Sequence, residues 1–331
     1  MAPSRTSPAG EFRHEPVLVE RVLEVFAEVP PGLVVDGTLG AAGHASALLR
    51  ARDDIALLGI DRDPVALRAA SRTLERFSGR SRLARARFDS LAALATTTAA
   101  ELGVPITGVL LDLGVSSPQF DDADRGFSYR FDAPLDMRMD PDQRFSADDV
   151  VNGYDAAELA RIIEAHADER FARRIADAVV AARPVRTTGA LADAIRDAMP
   201  AAARRRRGHP AKRTFQAIRI EVNDELRVLA ASLSPAIDVL APGGRIAVIS
   251  YHSGEDRIVK DAFRQAVTGG CICPPQLPCV CGAVPVARTI GRQGARPTAD
   301  EVTRNPRAES ARLRVLQKLT PDEARAAVEG R

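Results

Sequence analysis

Apolar positions along the chain follow two rhythms. Val17 to Phe26 recurs at helical spacing and reads as an opening amphipathic helix, stopped by Pro30, Pro31 and Gly32. Beyond it, short continuous apolar runs alternate with helical stretches. Leu33–Val35 runs into Asp36, Leu57–Ile60 into Asp61, and Val109–Leu111 into Asp112, while ARARFDSL gives a third strand ending at Phe88 and Asp89. Helices are predicted after the first glycine-rich turn, from Pro64 to Phe77, and from Ser90 to Leu102. Apolar runs without alternation, separated by helices, specify strands buried on both faces of a parallel sheet. Ligands of such sheets lie outside the carboxyl ends of the strands.

The alternation stops at Asp121 and resumes near residue 213. The intervening stretch contains no convincing strand, and its longest amphipathic piece is AAELARIIEAHADERFARRIADAVVAARP. We therefore expect residues 1–120 to form the first part of the core, 121–213 an inserted helical substrate-recognition domain, and 214–331 the second part. In that last part a long helical pattern follows Thr214 and is expected to break near Ser234 and Pro235. Arg245–Ser250 is a fifth strand leading into YHSGED, and Ile258–Val267 is helical. Val284–Arg288 and Leu313–Lys318 suit a closing hairpin, with a long loop between them.

Composition narrows the class. The 331 residues are 27% charged and 45% hydrophobic, as in soluble proteins, and no apolar run approaches the length of a bilayer span. The N-terminus lacks a signal-peptide core, so a cytoplasmic protein is expected. The net charge of +2 does not announce nucleic acid, but RRRRGHPAKR, Arg204 to Arg213, concentrates positive charge. That run reads either as a phosphate-contacting patch or as a solvated surface. Cys271, Cys273, Cys279 and Cys281 lie in CICPPQLPCVC. Four thiolates suit structural zinc, whereas the C-x-C spacing is not that of a zinc knuckle, and unligated thiols are the alternative. No catalytic metal is expected.

Candidate chemistry sits at the strand ends. GTLGAAGH lets the backbone pass close to a ligand. Asp61 could accept hydrogen bonds from ribose hydroxyls or merely cap the following helix. Leu110 to Phe120 carries a strand into a polar loop, SSPQF, one residue away from the Asp/Asn/Ser-Pro-Pro-aromatic pattern of enzymes that methylate exocyclic amines of nucleobases. Such an amine is a poor nucleophile because its lone pair is delocalised into the ring. Ser117 and the carbonyl beside Pro118, aimed at the amine hydrogens, would turn the lone pair outward, and Phe120 could stack on the base. The bland alternative is a Ser-Pro turn with Phe120 as a core plug.

DGTLGAAGH, GIDRDP, LLDLGVSSPQFDDADRGFSYRFDAPLDMRMD, HPAKRTFQAIRIEVNDEL, APGGRIAVISYHSGEDRIVK and NPRAESARLR together resemble the bacterial RsmH (MraW) family, over roughly His14 to Val315. The resemblance implies an α/β fold, a class I (Rossmann-like) S-adenosylmethionine-dependent methyltransferase sheet with an inserted helical domain. It implies an enzyme that modifies N4 of a decoding-site cytidine in 16S ribosomal RNA of the small subunit, with neither DNA nor membrane as partner. The cofactor positions it implies are Ala42, Gly43, His44, Asp61, Phe88, Asp112 and Gln119. Ser117, Pro118 and Phe120 would be catalytic, Arg138, Lys212, Arg213 and His252 would meet substrate, and Asp136 or His252 would be candidates to take the amine proton. Ala42 stands where the family usually has glycine, and Gly254 where it usually has leucine. A nicotinamide dehydrogenase is disfavoured because G-x-G-x-x-G is absent around Gly40, Ala42 and Ala45. A methyltransferase acting on DNA or protein, which would keep the core and change the insert, and a non-enzymatic RNA-binding assembly factor are the remaining rivals.

Overall fold

In the computed structural model the expected strand ends lie side by side along one edge of a seven-stranded sheet. The structure describes residues 16–115, 119, 122–205, 209–274 and 280–329. The strands are β1 (Gly32–Asp36), β2 (Ile55–Asp61), β3 (Ser81–Arg85), β4 (Ile106–Asp112), β5 (Arg245–Ser250), β6 (Ala287–Thr289) and β7 (Arg312–Lys318). Their order is β3-β2-β1-β4-β5-β7-β6. The first five run parallel, and β7 lies antiparallel between β5 and β6. From β1 the chain winds outward through β2 and β3, then returns to place β4 on the other flank of β1. That reversal opens a crevice between the ends of β1 and β4, the position where open α/β sheets bind ligands.

The burial of the strands explains why they read as unbroken apolar runs. Every residue of β1 and β5 is buried, as is β4 except for Asp112. One face of the sheet is closed by helices α1 (Val19–Ala27), α2 (Gly43–Ala51) and α3 (Pro64–Leu74) through an apolar cluster that includes Phe26, Leu48, Leu57 and Leu74. The other is closed by α4 (Leu91–Leu102) and later helices around Leu111, Leu233, Ile246 and Phe263.

A third apolar cluster is drawn from residues between Phe127 and Val222 and lies apart from both sheet faces. It is built by α5 (Ala156–Ala167), α6 (Ala172–Ala181), α7 (Thr188–Ala198) and α8 (Lys212–Asn223), with Leu135, Met137 and Met139 plugged in from the preceding loop. The apolar face of α8 therefore carries this cluster past residue 213. Among the described residues of this region, strand pairing is limited to an isolated bridge between Pro134 and Thr187.

Four expectations about elements need correction. The third strand ends at Arg85, because Phe88–Ser90 forms a 3-10 turn that folds the ring back against the sheet. The long helix breaks at Asp224, whose φ of 55 separates α8 from α9 (Glu225–Asp238), and it continues through Pro235. The buried side chains Leu229, Leu233, Ala236 and Ile237 hold that turn together despite the missing N–H. The helix expected from Ile258 is longer: α10 spans Ser253–Thr268, capped by His252. Finally, the long loop before β7 contains a short helix, α11 (Ala299–Arg304), whose Glu301 accepts the backbone N–H of Leu18 at 2.6 Å.

Candidate active site

The first loop is shaped by carboxylates at the strand ends. Asp36 closes β1 and is buried, its Oδ1 accepting the N–H of Thr38 at 3.1 Å. The hydroxyl of Thr38 accepts the backbone N–H of Asp112 at 2.6 Å, tying the end of β1 to the end of β4. Asp61 closes β2, and its Oδ2 accepts the N–H of Gly40 at 2.8 Å. Gly37 has no room for a side chain: a Cβ there would lie 2.7 Å from Leu111, 2.8 Å from Leu91 and 3.5 Å from Phe88. Ala42 takes a left-handed φ of 65 at the start of α2, which explains why glycine suits this position.

Three carboxylates and one imidazole thus share the crevice. His44 is buried and neither ring nitrogen has a hydrogen-bond partner among the described residues; Nε2 lies 3.5 Å from Asp112 Oδ2, near enough for charge attraction but not a hydrogen bond. The other oxygen of Asp112 accepts the phenol of Tyr251 at 2.7 Å. Burial, together with Asp112 and Asp61 nearby and against the attraction of His44, pushes the Asp36 carboxyl up to about 7. Burial also raises Asp61, against the backbone N–H bonds of Asp63 and Gly40. Tyr251 is held well above its ordinary value by burial and by Asp112. Such a crowd of buried acids destabilises its own ionised state, and a cationic ligand relieves it.

The two readings of Asp61 separate on geometry. The cap of α3 is Asp63, whose Oδ1 accepts the N–H of Val65 at 2.8 Å. Asp61 Oδ1 instead accepts the N–H of Asp63 at 2.9 Å. Its carboxylate therefore organises the ligand-side loops and retains lone pairs for a further donor.

Ser117, Pro118 and Phe120 lie outside the described residues. Gln119, between Pro118 and Phe120, and Arg125 beyond them are anchored to one buried carboxylate. Asp63 Oδ2 accepts the Gln119 side-chain amide at 3.0 Å and Arg125 Nη1 at 2.9 Å. Arg125 reaches on to the carbonyls of Arg138 and Met139, at 2.8 and 3.2 Å. Asp63 is fully buried and Gln119 nearly so. The loop that carries SSPQF is thus fastened to the same β2–α3 turn that presents Asp61.

The expected substrate residues have diverse environments. Arg138 is engaged by Asp136 through two bonds, of 2.9 and 2.8 Å, and by the carbonyl of Gln143 at 2.8 Å. Burial would raise Asp136, but the bonds from Arg138 outweigh it and hold the carboxylate below its ordinary range. Lys212 and Arg213 are both exposed at the start of α8, and Arg213 donates to the carbonyl of Asp168 at 3.1 Å. His252 caps α10: its Nδ1 accepts the N–H of Glu255 at 3.4 Å, while Nε2 lies 3.2 Å from the Glu255 carboxylate without hydrogen-bond geometry. Of the basic run, Arg206 and Arg207 lie outside the described residues, as does Cys279 of the cysteine loop. The Sγ atoms of Cys271, Cys273 and Cys281 lie within 4.8 Å of one another.

Asp36, Thr38, Asp63, Arg125 and Tyr251 were not among the residues expected to form the site. For Asp36 the signal was present, since it ends an apolar run as Asp61 and Asp112 do.

Five parallel strands completed by an antiparallel β7 between β5 and β6, with acids at the ends of β1, β2 and β4 around a glycine-rich loop, define a class I methyltransferase. The profile described as the MraW methylase family matches residues 11–319. Ribosomal RNA small subunit methyltransferase H of Heliobacterium modesticaldum is 48% identical over 315 residues, covering 93% of this chain and 99% of that one. The protein of the same name from Thermobifida fusca is 49% identical over 322 residues, 95% of each chain, and that of Symbiobacterium thermophilum is 48% identical over 318, covering 94% and 98%. The chain belongs to the MraW methylase family.

Proposed function

We propose that this methyltransferase transfers the methyl group of S-adenosylmethionine to the exocyclic N4 amine of a decoding-site cytidine in 16S ribosomal RNA of the small subunit. The observation that carries the cofactor reading is the acid-rich crevice. Asp36, Asp61 and Asp112 surround a loop in which Gly37 leaves no space for a side chain, and both nitrogens of His44 are without partners among the described residues. When bound, the cofactor supplies a sulfonium-activated methyl group and a net positive charge. Its positions in this chain are Ala42, Gly43 and His44 in the loop, Asp61 for the ribose, Phe88 beside Gly37 for the adenine, and Asp112 and Gln119 at the β4 end.

The chain's own contribution is to hold and shape the amine. Ser117 and the carbonyl beside Pro118 would accept the two amine hydrogens, turning the nitrogen lone pair toward the donor, while Phe120 stacks on the base. Gln119 and Arg125, both bound to Asp63, fix that loop at the β2–α3 turn. The methylated amine is acidic and releases one proton; Asp136, kept ionised by Arg138, and His252 are the side chains proposed to receive it. The target base has to leave its stack, and residues 121–213 serve as the substrate-recognition insert, with Lys212 and Arg213 on the RNA side, whereas Arg138, expected to join them, is spent on Asp136 and Gln143. The ribosomal substrate rests on the named activity of the relatives, as does a cytoplasmic location; no helix among the described residues is long and apolar enough to cross a membrane. Zinc, the other expected cofactor, takes no part in this chemistry. Its cysteines follow the far end of α10, a helix of 16 residues that starts at the site and is about 24 Å long.

The test is transfer of labelled methyl from S-adenosylmethionine to small subunits from a strain lacking the protein, followed by nucleoside analysis. Label in N4-methylated cytidine, reduced in Ser117→Ala and Asp61→Ala, is the expected outcome. Label in another nucleoside would keep the enzyme and reject the substrate. Absence of cofactor binding would favour the assembly-factor reading.

A further inference from the structure

Among its described residues, the loop after α10 is irregular and largely exposed. Gly269 ends the helix with a φ of 64, and a Cβ there would fall 2.3 Å from the carbonyl oxygen of Val284. Val286 donates to the carbonyl of Ala266 at 2.9 Å, so the loop leaves and returns at the same place. Between those points the described residues form neither helix nor strand. Nor do they bury an apolar core: Ile272 is 89% exposed and Val280 88%. Ordering an exposed, irregular segment costs conformational entropy.

Three sulfurs nevertheless converge within it. Cys271, Cys273 and Cys281 bring their Sγ atoms within 4.8 Å of one another, with Cys271 and Cys281 at 3.6 Å. A disulfide joins two sulfurs at about 2.05 Å and gives the third no reason to be there. Around a tetrahedral zinc with Zn–S of about 2.3 Å, sulfurs sit about 3.8 Å apart. The backbone N–H of Val280 points at Cys273 Sγ, at 3.5 Å, as amides do toward metal-bound thiolates.

We propose that Cys271, Cys273 and Cys281 bind one zinc ion as thiolates, and that this ion pins the loop leading into edge strand β6. Cys279 lies outside the described residues, and the site does not rest on it; three thiolates leave one tetrahedral position for a further donor. Binding releases the thiol protons and involves no electron transfer. The site is structural, because it lies at the far end of α10 from the cofactor crevice. It goes beyond the methyltransferase reading and is independent of it.

The experiment uses the full-length, untagged protein purified under reducing conditions without chelator. One zinc per chain by elemental analysis is expected, released in step with mercurial titration of the thiols. Replacement by cobalt should give thiolate-to-cobalt charge-transfer bands and tetrahedral d–d bands. Cys273→Ser should lower zinc affinity at least tenfold while S-adenosylmethionine affinity stays within twofold. Should that variant fail to fold, the zinc content and cobalt spectrum of the unaltered protein decide. The proposal is overturned by substoichiometric zinc after loading with all three thiols freely reactive. A Cys271–Cys281 disulfide in the reduced preparation, or full zinc in a triple serine variant, would overturn it as well.

Discussion

Asp63 shows how one buried carboxylate can serve two elements. One oxygen caps α3 and the other receives Gln119 and Arg125, so removing its charge leaves a guanidinium buried without its partner. Asp63→Asn should destabilise the protein by about 3 kcal/mol in urea unfolding, the scale for breaking a buried ion pair. At a temperature where the variant is folded, its kcat and its cofactor affinity should both fall, because Asp63 holds Gln119 and Arg125 on the 119–125 loop and donates its N–H to Asp61. Asp36 yields a pH prediction. Its folded pKa of about 7 lies above the ordinary 3.8, so between those values the native state holds a proton that the unfolded chain has lost. That contribution to stability is complete below the lower value and is lost as pH rises through the upper one. A cationic cofactor favours the ionised carboxylate, so its affinity should tighten roughly tenfold between about pH 6 and pH 8. Calorimetric titration should show the trend, and Asp36→Asn should flatten it. Asp61 and Asp112 were legible because each ends an apolar run. Asp63 and Tyr251 were not, since their roles depend on partners 56, 62 and 139 residues away.

At the scale of elements, the alternation of apolar runs and helical stretches placed β1, β2, β4, β5 and β7 well, because buried strands cannot be written in many other ways. It misplaced the more exposed edge strands, with β3 at Ser81–Arg85 and β6 at Ala287–Thr289. Breaks were less legible. Pro235 carries an obvious local signal, yet its helix survives because one face is buried, whereas Asp224 looks like any other aspartate and terminates α8. What makes the break at Asp224 work is its neighbour. Asn223 is buried, its side chain accepting the N–H of Met139 at 2.8 Å and donating to the carbonyl of Met137 at 2.7 Å. Arg219 and Glu225 pair across the break at 2.8 Å, so α8 and α9 keep one relative orientation. Replacing Asn223 by Leu would leave two buried backbone groups unpaired, each costing about 1–3 kcal/mol. The expected loss is therefore about 3 kcal/mol in chemical denaturation, with increased proteolytic cleavage between residues 122 and 145. Wild-type stability in this variant would mean that the apolar packing of Leu135, Met137 and Met139 together with Arg125 is enough to hold the 122–139 loop.

For the whole molecule the question is how a chain with a net charge of only +2 engages a polyanion. Association with RNA depends on local cations that release counterions, and it weakens with salt in proportion to the phosphates contacted. The structure distinguishes cations already committed from those that face solvent. Arg138 spends its donors on Asp136 and Gln143, while Lys212 and Arg213 both stand exposed at the first turn of α8, Arg213 with a single bond to the Asp168 carbonyl. Lys212→Gln should therefore weaken binding to small subunits and reduce the slope of log affinity against log salt by about 0.7–0.9, with stability unchanged. Arg138→Gln should do the opposite, lowering stability and leaving the slope nearly intact, because what it loses is an internal ion pair. Binding measured across a salt series, beside thermal unfolding of both variants, separates the two. If the slope responds to Arg138 and not to Lys212, RNA displaces Asp136 on binding. The path of the substrate then follows the 122–139 loop, beside the carboxylate proposed to receive the amine proton, and not the face of α8.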